Sequence, residues 1–165
     1  MANDPSPELP LTPLGHRTRT VRQWLTTFHL VLVAVDPFEE ASAWLVDTAG
    51  RILTNYDEAD CRVAFLVAGT DDDARQFLGH WSRDLLTFAD PDLAAIQGLG
   101  LNSLPAWVHL AMDGTVMTSC EGWEPPCWRE AAAALSKVVA WRGPVIPLPS
   151  DPAPFPGTPV QAVAS

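Results

Sequence analysis

The sequence predicts an α/β domain: a mixed central sheet with helices on both faces, in the order β-α-β-α-β-α-β-β-α. Three observations predict it. Two continuous apolar, β-branched runs, His29–Val35 and Arg62–Val67, read as strands buried on both faces. Stretches with apolar residues at helical spacing alternate with them, which implies parallel pairing through right-handed crossovers. Two strand-like segments, 105–112 and 114–119, flank Asp113-Gly114, a strong short-range hairpin signal that adds antiparallel strands at the end.

The elements follow in order. Thr18 to Phe28 reads as either a short strand or a helix. After the first long strand, Asp36-Pro37 is a stop. From Phe38, apolar residues at Ala41, Trp44, Leu45, Thr48, Ile52 and Tyr56 approach helical spacing. Gly50 leaves a hairpin over 47–53 as the alternative. Asp71, Asp72 and Asp73 suit the start of a helix, where acids meet the positive end of its dipole. Leu85–Phe88 reads as a short strand. Pro91 suits the first turn of another helix, closed by Gly98 or Gly100. The last helix runs from about Cys127 to Ala140, set by Pro125-Pro126 and stopped by Gly143-Pro144. Proline-rich ends flank the domain: an extended arm over 1–16, and a tail over 143–165 that is expected to be polyproline-like or disordered. The folded domain is expected over 17–142.

The chain of 165 residues is 47% hydrophobic and 18% charged, an ordinary globular composition for one domain. Its formal net charge of -10 is concentrated in residues 36–92, which hold thirteen acids and four bases. Such a surface repels phosphate backbones, so nucleic acid is not an expected partner. No run reaches the roughly 20 apolar residues of a membrane span. The first residues lack the basic and apolar regions of a signal peptide, so the location expected is cytoplasmic, with no membrane partner. Three cysteines, Cys61, Cys120 and Cys127, are too few and odd in number for a secreted disulfide scaffold.

Residues 90–114 are the most specific stretch: a helix, the turn Leu99-Gly100-Leu101, an apolar residue before proline in Leu104-Pro105, a strand, and Asp113-Gly114. This pattern resembles the thioredoxin-like fold, and within it the redoxin (AhpC/TSA-like) branch, over about residues 28–140. The resemblance implies that Pro105 is a cis proline beside the active site. It also implies chemistry just after the first long strand, at the start of the following helix, where a cysteine thiolate gains from the dipole. Asp36-Pro-Phe-Glu-Glu-Ala-Ser-Ala43 spans that place, and nothing from 29 to 60 is a cysteine. Both the paired cysteines of thioredoxins and the peroxidatic cysteine are missing, so no catalytic residue is assigned there.

The leading expectation is therefore a redox-inactive thioredoxin-like domain that binds a protein partner or serves assembly. Its expected surface comprises Asp36, Pro37, Phe38, Glu39, Glu40, Leu104, Pro105 and Trp107, and the proline-rich ends could add to it. Trp107 should point the same way as Pro105, since strand side chains alternate, and reads either as a contact residue or as core. Trp44, Trp81 and Trp128 sit at apolar positions and are expected in the core. The alternative function is a thiol-disulfide oxidoreductase or redox sensor in which Cys127, at a helix start, reacts and Cys120 resolves. Their spacing allows a Cys120–Cys127 disulfide, which needs the right Cα separation, and a structural role for these cysteines is the more expected one. Cys61 reads as a small core residue. The four histidines are scattered, so no metal site or cofactor is expected.

Overall fold

A computed structural model describes residues 2–160; Met1 and the last five residues of the proline-rich tail lie outside the described residues. Seven strands form one sheet in the order β2-β1-β5-β4-β3-β7-β8. Within it β3 (His29–Val35) runs parallel to β4 (Cys61–Val67) and antiparallel to β7 (Ala106–Leu110). Strand β5 (Leu86–Ala89) extends the parallel part beyond β4, and β8 (Val116–Glu121) pairs with β7 through the Asp113-Gly114 hairpin. Leu30 to Val35 are fully buried, as continuous apolar runs in parallel strands require.

The sheet separates two cores. On one face Val31, Val33 and Val35 pack against α2 (Glu40–Thr54), α3 (Asp71–Leu78) and α6 (Pro125–Val139). On the other, Leu30, Leu32 and Ala34 meet α1 (Val21–Trp24) and α5 (Ala94–Gly98). The short α4 (Trp81–Asp84) precedes β5.

Several elements differ from the expectation, each for a local reason. The ambiguous segment 18–28 contains both alternatives, the two-residue strand β2 (Arg19–Thr20) and then α1, capped by Thr20 and Gln23. Helix α2 continues through Gly50 because Trp81 lies flat on it; a Cβ there would sit 2.6 Å from Trp81 Cδ2. Helix α3 starts at the aspartates, but Thr70 caps it, accepting from the Asp73 amide at 3.1 Å. Helix α5 starts at Ala94 rather than Pro91. The buried Asp90 carboxylate accepts from the amides of Ala95 and Ile96, at 3.0 and 2.9 Å, and that sets the start. Burial raises the pKa of Asp90, and these amides oppose the rise.

Both proline-rich ends are tied to the domain. The arm is extended, and its strand β1 (Pro10–Pro13) joins the sheet antiparallel to β5. The tail, expected to be polyproline-like or disordered, runs back across the domain, and its strand β9 (Thr158–Pro159) pairs with β6 (Ser103–Leu104).

One titratable pair lies on the face of the sheet shared with Val31 and Val33. His109 is fully buried, and its Nε2 is 2.9 Å from Nδ1 of His29. Burial, reinforced by His29, pushes the His109 pKa down to about 4 from 6.5. The folded state therefore holds His109 neutral where the unfolded chain would protonate it. Its contribution is fully present above pH 6.5 and is lost as the pH falls from 6.5 towards 4, by on the order of 3 kcal/mol. Urea denaturation of the wild type and of His109→Leu between pH 7 and 4.5 checks this. The wild type is expected to lose stability more steeply, and parallel profiles would contradict the assignment.

Candidate functional site

The site forms where β3 ends. The chain turns at Asp36, whose Oδ1 accepts from the Phe38 amide at 2.9 Å and whose carbonyl accepts from the Glu39 amide at 3.3 Å. The Asp36 amide donates to Oγ of Ser42, a fully buried hydroxyl in the first turn of α2, at 2.9 Å. These bonds aim α2 away from the strand end and leave Glu39 as its N-cap, without a side-chain capping bond. Phe38 is 73% exposed and shares a hollow with Pro37 and with Asp73, Gln76 and Phe77 of α3. Glu40 is exposed beside it.

The second wall is the segment 102–107. The Leu104–Pro105 peptide bond is cis. Glu121 Oε1 accepts from the amides of Asn102 and Ser103, both at 2.7 Å. Burial would raise the pKa of Glu121; hydrogen bonds, these two among them, outweigh burial and lower it. The Gly122 amide donates to the Pro105 carbonyl at 2.7 Å, so the start of the β8–α6 loop is fixed to the cis peptide.

The expected surface does not survive whole. Asp36, Pro37, Phe38, Glu39 and Glu40 lie together at an accessible turn. Leu104 and Pro105 are buried. Trp107 is a correction: it is fully buried, edge-on to Trp128 with ring centroids 5.6 Å apart, and its Nε1 donates to Thr118 Oγ1 at 3.1 Å. Alternation sends it into the α6 core. Trp44, expected in the core, is 58% exposed. The buried stripe of α2 is Leu45, Ala49 and Ile52, and Trp44 lies one residue off it. Trp44 instead faces Phe155 of the tail, with ring centroids 5.5 Å apart. Sequence reasoning reached the tail only as a proline-rich end that could join the surface; it did not single out residues 155–160. The signal of that segment was faint: one aromatic and one glycine inside a proline-rich run.

No family model matches this chain, and no curated protein does. Solved structures do. A hypothetical protein of Sinorhizobium meliloti 1021 is similar over 100% of this chain and 96% of its own, with TM-score 0.69 and 9% identity. A putative thioredoxin from Neisseria meningitidis is similar over 85% of this chain and 95% of its own, with TM-score 0.66 and 15% identity. Peroxiredoxin Q of Xanthomonas campestris is similar over 81% and 92%, with TM-score 0.62 and 16% identity. The fold is thioredoxin-like. Identities this low speak for the fold alone.

Within a thioredoxin-like fold, the helix start after β3 favours an anion, but here it offers carboxylates, which cannot attack a disulfide. Cys120 and Cys127 lie elsewhere, joined as a disulfide with Cα atoms 6.1 Å apart, inside the roughly 4.4–6.8 Å range for such links. The bond ties the end of β8 to the first turn of α6 and closes the loop that carries Gly122 and Trp123. Cys61 is the free thiol among the described residues. It is buried, and burial with the neighbouring Asp60 pushes its pKa up to about 11. Thiol titration checks this inventory. The unreduced protein is expected to give no fast-reacting thiol when native, one in denaturant, and three after reduction; a rapidly reacting thiol in the native unreduced protein would contradict it.

Proposed function

We propose that this chain is a redox-inactive thioredoxin-like module that binds another protein. One observation carries the reading: the helix start where the fold's chemistry would sit has no cysteine and presents Phe38, 73% exposed, beside Glu39 and Glu40. An exposed aromatic ringed by carboxylates suits an apolar anchor with basic neighbours on a partner. The acidic stretch 36–92 extends that field, with Asp71, Asp72 and Asp73 at the adjoining start of α3.

Exchange at Cys127 has weaker support. Cys127 is half-buried and linked to Cys120, which is 5% exposed, so the pair reads as a staple for the β8–α6 loop. No helix among the described residues is long and apolar enough to cross a membrane. A cytoplasmic location belongs to the proposal, and there the staple would face a reducing thiol pool.

Affinity capture with the full chain, run beside Phe38→Ser/Glu40→Lys, tests the module. Both side chains are exposed, so the variant is expected to fold like the wild type, with stability changes within about 0.5 kcal/mol per site. Proteins retained by the wild type are expected to fall at least ~10-fold with the variant, since central aromatic anchors carry about 2 kcal/mol or more. Equal retention would contradict the proposed surface.

A further inference from the structure

The tail returns to the domain along the β6 edge of the site, where an extended chain can pair. Phe155 exchanges backbone hydrogen bonds with Trp123, at 2.9 and 3.1 Å, and its ring meets Trp44. Two residues on, Gly157 threads a gap between Gly122 and Leu104. A Cβ on Gly157 would sit 2.9 Å from Ser103 Cβ and 3.0 Å from the Leu104 carbonyl oxygen. Thr158 and Pro159 then pair with Leu104 and Ser103, and the Val160 amide donates to the Asn102 carbonyl at 2.8 Å.

This seating is specific and uses few backbone hydrogen bonds. Pro154, Pro156 and Pro159 are exposed and have no N–H to give, so residues 155–160 hold on through few backbone bonds, the half-buried Phe155 and Val160 side chains, and the Thr158 hydroxyl on the Leu104 carbonyl. Segments with few buried contacts and few hydrogen bonds open far more readily than the core. The prolines keep the chain extended when it is released, which lowers the entropic cost of seating it again. Glu121 accepts from the amides of Asn102 and Ser103, a hold on this backbone that does not involve the tail.

We infer that residues 155–160 are an intramolecular strap over the β6 edge, displaced when an extended partner segment with an aromatic residue two before a glycine takes its place. The inference rests on the module reading and adds a regulated second contact to the Phe38 surface. The aromatic would pack on Trp44 with its backbone paired to Trp123, and only glycine fits the gap against Gly122 and Leu104. Pro159 faces outward on β9 and discourages a further strand from adding to the seated strap.

The test uses the full chain as wild type, Gly157→Val and Phe155→Ala, with a labelled peptide of residues 152–160 as the probe. If the strap is seated more than about 90% of the time, both variants are expected to bind the peptide at least ~10-fold more tightly than the wild type. Amide exchange at Phe155 and Val160 of the wild type is expected to be slower than in the free peptide, and to speed up when peptide is added. Equal affinities, no binding by any of the three proteins, or free-peptide exchange rates in the wild type would overturn the strap. A variant that dimerises with those amides protected would assign the edge to a second copy and equally overturn it. Neither substitution touches Phe38 or Glu40, so failure here leaves the capture experiment to judge the module by itself.

Discussion

Strand β3 is buried on both faces and paired on both edges, and the rest of the molecule is arranged around it. Its odd-numbered valines face α2, α3 and α6, and its even-numbered residues face α1 and α5. A one-residue slip against β4 or β7 would exchange the two sets and spoil both cores at once. The register is therefore strongly specified, and with it the point where the chain leaves the sheet at Asp36. The helix start, the exposed Phe38 and the neighbouring cis peptide take their places from that one strand.

Much of this was legible in the residues. The apolar runs His29–Val35 and Arg62–Val67 allow little but buried strands, and Asp113-Gly114 between two strand-like segments marked the hairpin. What local pattern could not decide depended on distant partners. Gly50 weakens a helix in isolation, but α2 continues because the Trp81 ring, thirty-one residues away, needs the space a side chain would fill. The same holds for α5, whose start is set by the Asp90 carboxylate reaching forward to Ala95 and Ile96.

The candidate site was half legible. The missing cysteines are a matter of reading positions 29–60, and the turn at 36–40 follows from the strand end. Alternation ties Trp107 to Pro105 without saying whether Pro105 is buried, and helical spacing alone places Trp44 only near the core stripe. Alternation from a buried proline sends Trp107 inward, and Trp44 falls one residue off the apolar stripe of α2. Least legible was the tail. A run with seven prolines after residue 143 carries no periodicity, and its docking depends on Gly122, Leu104 and Trp44, which come together only in the folded chain. The space beside the cis peptide is thus filled from within by the protein's own C-terminal segment.

The central claim is that the scaffold is kept while its reaction is not. Reduction of insulin by dithiothreitol, followed by turbidity with and without the full-length protein, addresses it most directly. The account predicts the same time course in both, because no thiolate stands at the start of α2 and the Cys120–Cys127 pair serves as a staple. Acceleration at a rate like that of a thioredoxin would contradict it.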